Sequence, residues 1–118
     1  MSASTVAFVG AFVYRFPVLR SLLQEHLDDQ DGEVLPHLFI ADVERWAEAQ
    51  LECHDEASYA LVRDVLAFLE AACCTQGDEV EELIAVSFLE HLPRPGKPGA
   101  ELRSMVGPNL AKQLQRIG

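Results

Sequence analysis

Apolar residues recur at helical spacing along almost the whole chain, and strand-like alternation is hard to find. Short connections between consecutive helices favour antiparallel neighbours. The pattern therefore predicts a single all-α domain over residues 1–118, either a compact bundle or a HEAT-like stack of about five or six helices. The predicted helices are Ser4–Tyr14, Pro17–Leu27, Pro36–Gln50, Glu56–Thr75, one that begins near Asp78, and Ala100–Ile117 with a kink at Gly107-Pro108.

Three of these predicted helices have a distinct apolar face. On the third helix the face consists of Leu35, Phe39, Val43, Trp46 and Gln50. Glu44, Glu48 and Glu52 fall away from it, so the pattern predicts that they face solvent. The fourth helix has Val62, Val65, Leu66, Leu69, Ala72 and Cys73 on one side, and the last has Leu102, Met105, Val106, Leu110, Leu114 and Ile117.

The fifth helix differs from the others because its centre, Leu83–Leu89, is apolar on nearly every side. Such a helix is normally the buried centre of a domain. Asp78 is the expected N-cap, and the glutamates that follow it would interact favourably with the helix dipole. The proline-rich segment Leu92–Gly99 cannot continue the helix and should form a stiff connector.

Charge is distributed unevenly along the chain, whose net charge is −10. Residues 21–91 hold 18 of the 19 acidic residues and two of the nine basic ones, so this part carries −16. The flanks carry +2 and +4, and the three parts sum to −10. Direct nucleic-acid binding is disfavoured, since phosphates require a concentrated basic surface. The acidic part is either a solvated surface or a face that attracts a cationic partner.

Candidate catalytic chemistry is sparse. Ser87, Glu90 and His91 could form a serine–histidine–acid set, since Ser87 and His91 are one helical turn apart. The set lacks a nucleophile elbow and a glycine-rich oxyanion site, so we expect His91 to end the core helix instead. Asp42 is expected to be partly buried and to pair with Arg63 on the next helix.

Metal and cofactor sites are not predicted. The histidines His26, His37, His54 and His91 form neither an HExxH motif nor a pair at i and i+4. The cysteines Cys53, Cys73 and Cys74 form no CxxC pair and are expected to be buried thiols. The apolar run Val6–Tyr14 is about half of a membrane-spanning helix, so we expect a cytoplasmic protein that does not bind membranes.

Several segments together resemble a family of small helical bacterial proteins of unknown function. They are Gly32–Phe39, Asp42, Arg45-Trp46, Glu82–Glu90, Pro93 and Gly107-Pro108. Such proteins resemble immunity proteins, which are encoded beside secreted or contact-delivered toxins and act by binding and covering a cognate toxin domain. The resemblance brings no catalytic residues with it.

The expected function is therefore that of an immunity protein, a monomer or weak homodimer, that neutralises a basic toxin without being an enzyme. The alternatives are a generic helical adaptor or regulatory subunit and, less favoured, a small enzyme that uses Glu90 and His91. The contact could also involve the loop of Arg94 and Lys97. The residues expected to contact the toxin are Glu44, Glu48, Glu52, Glu56, Asp78, Glu79, Glu81 and Glu82.

Overall fold

The computed structural model describes residues 3–117, and over that range the protein is all α-helical, without a strand. This confirms the predicted fold class. The elements in chain order are α1 (Ala3–Arg15), a 3-10 helix (Pro17–Leu19), α2 (Arg20–Asp29), α3 (Pro36–Glu52), α4 (Glu56–Thr75), α5 (Asp78–Ser87), a second 3-10 helix (Leu89–His91), α6 (Leu102–Met105) and α7 (Pro108–Ile117).

Helix boundaries agree closely with the sequence pattern. Helix α4 begins and ends at the predicted residues, and α1 and α3 each extend one or two residues beyond theirs. The last predicted helix is divided into α6 and α7, and the break falls at Gly107-Pro108, where the kink was expected. Proline cannot donate a backbone hydrogen bond, so it favours the start of a new helix over the middle of an old one.

Helix α5 lies at the centre of the domain, as predicted, and packs against α1, α3, α4 and α7. Leu83 and Ile84 are fully buried at these contacts. Val86 nevertheless has 39% of its surface exposed, so one side of α5 reaches solvent. The last helix also differs from prediction, because Ile117 at its end is 40% exposed although it was expected on the inner face.

Aromatic rings join α1 to α4. Phe8, Phe12 and Phe16 are spaced four residues apart and so share one face of the chain, and Phe68 of α4 packs against all three. The closest of these pairs, Phe12 and Phe68, stacks with ring centroids 5.3 Å apart. Aromatic pairs at such distances add to the stabilisation that burial alone provides. This contact fixes α1 against the domain.

The start of α4 agrees with the sequence expectation, whereas the start of α5 departs from it. Helix α4 is capped by Asp55, whose side chain accepts a hydrogen bond of 2.7 Å from the Ser58 amide. Asp78 was predicted to cap α5, but it is the first residue of that helix and Gly77 occupies the cap position. Gly77 has a φ of 96°, which side-chain-bearing residues rarely adopt, and α5 begins directly after it, one residue earlier than predicted.

The start of α7 is capped by a residue from another helix. Glu70 of α4 accepts hydrogen bonds from the amides of Asn109 and Leu110, at 2.9 and 3.0 Å. A Cβ atom at Gly107 would lie 2.6 Å from the Glu70 carboxyl carbon, so a larger residue there would push the carboxylate away from its present position. The carboxylate thereby satisfies two amides that a helix start leaves without partners and favours the positive end of the helix dipole.

Candidate functional site

A cleft of about 390 Å³ opens where the amino-terminal ends of α1, α3 and α5 meet. We call it the acidic cleft. Helix α5 contributes the side chains of Glu79 and Glu82, which lie three residues apart and therefore share one side of the helix. The remaining lining residues are Thr5, Leu35, Pro36, His37 and Leu38.

The acidic cleft combines an apolar wall with a negative rim. Pro36 is buried beneath it, whereas Leu38 stands at the surface with 49% of its area exposed. Glu79 and Glu82 are exposed, and the Glu79 carboxylate accepts a hydrogen bond of 3.4 Å from the Ser4 hydroxyl. A cationic group on an apolar stem, such as a lysine or arginine side chain, has the chemistry that matches such a surface.

His26 lies outside the acidic cleft but holds one of its walls in place. Its Nε2 atom accepts a hydrogen bond of 3.0 Å from the Leu35 amide, so the ring proton lies on Nδ1. Nδ1 faces Asp42 at 4.0 Å, and the ring is almost fully buried. His26 therefore ties the end of the α2–α3 loop to α2. From the sequence, histidine was considered as a metal ligand, a catalytic base or a helix-terminal residue, and this positioning role was missed.

The predicted partner of Asp42 was wrong. Asp42 forms an ion pair with Arg45, one turn further along the same helix, and lies near His26. Arg63 is exposed on α4 and forms no ion pair within residues 3–117. A neighbour at i+3 needs no tertiary alignment to reach a carboxylate, whereas a partner on another helix does.

The prediction that Ser87 and His91 lie one turn apart on the same helix was also wrong. Helix α5 ends at Ser87 and the chain continues as a 3-10 helix, so the two residues no longer share a helical face. The Ser87 hydroxyl is buried and lies 2.6 Å from Nδ1 of His37, which lines the acidic cleft. Glu90 and His91 are both exposed. This hydrogen bond joins α5 to the first turn of α3.

The expected partner-contact residues do not form one surface. Glu52, Glu56, Asp78, Glu79 and Glu82 are exposed, as expected of contact residues. Glu52 ends α3, whereas the acidic cleft lies at its beginning, about 24 Å away along a helix of this length. The half-buried Glu81 accepts a hydrogen bond from Gln113 of α7. Only Glu79 and Glu82 of the predicted set line the acidic cleft.

Glu44 was predicted to face solvent and contact a partner, but this was wrong, because only 1% of its surface is exposed. Burial raises its pKa to about 9; a hydrogen bond and the charge of Glu48 add to the effect, and Arg45 opposes it. Its Oε2 atom has no hydrogen-bond partner among the described residues. Glu44 is therefore protonated at neutral pH and cannot contact a partner protein.

The connector after α5 explains why this side of α3 is covered. Glu48, one turn after Glu44, is half-buried, and a Cβ atom at Gly99 would lie 3.0 Å from its Cγ and Oε1 atoms. Pro93 approaches the same point, with its Cγ at 3.1 Å. The connector thus lies on the α3 face that the sequence pattern assigned to solvent.

The cysteines do not behave as three buried thiols. Cys73 is buried, as predicted, but Cys53 and Cys74 are exposed. The sulfur atoms of Cys73 and Cys74 lie 3.4 Å apart. Burial, with a smaller effect of Cys74, raises the pKa of the Cys73 thiol to about 12, which makes it a weak nucleophile. In the described residues, no three His, Cys, Asp or Glu side chains converge into a candidate metal site.

The fold and the acidic cleft together define a small all-α domain with an anionic surface cleft. The chain belongs to a family described as a domain of unknown function (DUF7674), whose family model matches residues 9–117. This confirms membership of an uncharacterised family. No match to the chain was found among curated proteins or solved structures.

No single helix within residues 3–117 is long and apolar enough to cross a membrane. Residues Ala3–Arg15 and Pro17–Asp29 reach the required length and composition only as a pair, and they are bent by 114° with respect to each other.

Proposed function

We propose that the protein acts by binding another protein through the acidic cleft, as an immunity protein that neutralises a cognate basic toxin. The observation that carries the proposal is the convergence of Glu79, Glu82 and the exposed Leu38 around one cleft. Carboxylates beside exposed apolar surface favour a partner that presents a basic side chain next to an apolar one. The partner would lose access to its active or substrate-binding site while it is bound.

Long-range attraction would precede docking. Residues 21–91 carry a formal charge of −16, which counts Glu44 although this residue is protonated. The remaining carboxylates create a field that increases the encounter rate with a basic protein and weakens as salt is added. Glu52, Glu56 and Asp78 are exposed and contribute to this field without lining the acidic cleft. Glu44 is excluded from the contact set because it is buried.

In this proposal the protein works in the cytoplasm without catalysis or a cofactor, as a monomer or weak homodimer. A generic adaptor would use the same cleft but would have no effect on toxicity. Rescue of growth therefore distinguishes the two, because only an immunity protein protects cells that express the partner. Nucleic acid and membranes are not among the proposed partners.

The test is affinity capture from the native host, followed by co-expression of the captured protein with the variants. In Glu79→Lys/Glu82→Lys the rim of the acidic cleft is reversed. Glu52→Lys/Glu56→Lys carries the same change in net charge at the end of α3 and the start of α4, and serves as the matched control. We expect the wild type and the control to retain a basic partner and restore growth, and the rim variant to do neither.

Equal capture and equal growth protection by both double variants would contradict docking at the acidic cleft. Capture of a partner whose expression does not impair growth would contradict the immunity function but not protein binding. Circular dichroism of each variant checks that lysine substitution has left the helical fold intact.

A further inference from the structure

A second cleft, of about 550 Å³, lies beyond the carboxyl end of α5. It is bounded by the second 3-10 helix, the connector and the helices α6 and α7. Its apolar surface comes from Leu89, Leu92, Leu114 and Ile117, and its basic groups are Arg94 and Arg103. We call it the basic cleft. It is separate from the acidic cleft, since the two occupy opposite ends of α5.

The apolar surface of the basic cleft changes from buried to exposed along its length. Leu89 and Leu92 are buried, with 1% and 4% of their surface exposed. Leu114 is half-buried, and Ile117 is 40% exposed. Apolar side chains therefore continue from the inside of the cleft to its opening, where an apolar ligand would remove them from water.

The two arginines supply the polar recognition. Arg103 is half-buried, and its Nε donates a hydrogen bond of 2.6 Å to the Pro93 carbonyl, which holds the guanidinium in place. Arg94 is exposed on the connector. Within residues 3–117 neither arginine forms an ion pair. Two cations therefore lie beside an apolar surface, and the only acidic residue that lines the same cleft in this range is Glu90.

We propose that the basic cleft binds a carboxylate carried on an apolar chain. A ligand site typically joins apolar walls to a few polar groups that fix orientation, and a guanidinium is the side chain best suited to hold a carboxylate through paired hydrogen bonds. The carboxylate would lie between Arg94 and Arg103, with its apolar chain along Leu92, Leu114 and Ile117. A free fatty acid and the carboxyl terminus of a peptide both carry this chemistry.

Titration calorimetry with sodium decanoate, below its micelle concentration, tests the site in the full-length protein. We expect saturable binding at one site, and Arg94→Gln should weaken it at least tenfold because it removes one of the two cations. Arg63→Gln removes the same charge from an exposed position on α4 and should leave the affinity within twofold. Arg103→Lys retains the charge but lacks the paired donors, so its affinity for decanoate should lie between those of Arg94→Gln and Arg63→Gln.

Two further ligands separate charge from apolar attraction and distinguish the sources of the carboxylate. Decyltrimethylammonium has the same tail with the opposite charge and should bind at least tenfold more weakly than decanoate. A tetrapeptide that ends in leucine is compared as its free acid and its amide; tighter binding of the acid than of decanoate would identify a peptide terminus as the source.

Three results would overturn the proposal. One is equal affinity of decanoate for the wild type and Arg94→Gln. Another is equal affinity of decanoate and decyltrimethylammonium, which would indicate unspecific apolar adsorption. The third is no binding of decanoate or of the peptide acid by wild-type protein whose helical content is intact.

Discussion

Two groups of carboxylates in this domain have similar sequence surroundings and different physical roles. The enclosed group comprises Glu44, Glu48 and Glu70, which the fold buries fully or in part. The rim group comprises Asp78, Glu79 and Glu82, which remain exposed at the start of α5. Both groups lie on helices that contribute to the core. Covering elements distant in sequence, rather than helical spacing, determine which carboxylate becomes enclosed.

Members of the enclosed group differ in how many hydrogen bonds their carboxyl oxygens accept. Glu70 accepts two backbone amides and so stabilises the start of α7. Glu44 has an oxygen without a partner in the described range, and its raised pKa shows that burial disfavours its charged form. An enclosed carboxylate therefore stabilises the fold only where the fold supplies donors, while a rim carboxylate should affect binding rather than stability.

The largest effect is expected for Glu70→Ala, which removes both hydrogen bonds at the start of α7. We expect the free energy of unfolding to fall by about 3 kcal/mol, since hydrogen bonds to charged groups contribute about 1.5 to 3 kcal/mol each and their effects are not fully additive. Urea denaturation followed by circular dichroism measures the change. Glu70→Gln, which keeps one acceptor oxygen, should lose less; equal losses would contradict the capping role.

Glu44→Gln is expected to raise the free energy of unfolding rather than lower it. The pKa of Glu44 is about 9 in the folded protein, above its ordinary value of 4.5. Between these values the folded state holds a proton that the unfolded state has released, so the free energy of unfolding should fall as pH rises from about 5 to 9. The glutamine variant should lack this slope and so be more stable than the wild type at pH 8, with the difference shrinking as the pH falls toward 4.5.

Thermal denaturation at several pH values tests this prediction. Glu52→Gln removes an exposed carboxylate from the same helix and provides the control, because an exposed residue should show neither the gain nor the change in slope. Parallel pH profiles for the wild type and Glu44→Gln would show that the buried carboxyl does not titrate as inferred.

A smaller loss is expected for Gly107→Ala. The added Cβ would lie 2.6 Å from the Glu70 carboxyl carbon and would displace the cap without removing the carboxylate. We expect about 1 to 2 kcal/mol of destabilisation, the usual scale for losing a helix cap. In the Glu70→Ala background the same substitution should cost less, since the clash is gone. Additive losses in the double mutant would argue that the two residues act independently.

The smallest effect on stability is expected for Glu79→Gln/Glu82→Gln at the rim. Surface substitutions usually change stability by less than about 0.5 kcal/mol, and these side chains are exposed. Their effect should appear instead in the association rate with a basic partner at low salt, measured by stopped-flow fluorescence. A large loss of stability with an unchanged association rate would contradict the conclusion that the rim carboxylates act in binding rather than in folding.

The sequence predicted where helices begin and end better than it predicted which distant segments pack against them. The ends of α4 and the break at Gly107-Pro108 follow from local residue chemistry, and both are confirmed. The partial burial of Glu48 depends on a connector that begins more than forty residues later in the chain and lies on the face opposite the apolar stripe. The hydrogen bond between His37 and Ser87 likewise joins positions fifty residues apart. Periodicity identifies an apolar face but not the element that covers the other one.

The Glu70 cap also has a consequence for the basic cleft. It fixes the start of α7 through two backbone amides, and Glu81 of α5 holds the middle of the same helix through Gln113. Leu114 and Ile117, further along this helix, form one wall of the basic cleft. Two carboxylates that lie outside the basic cleft therefore determine where that wall stands.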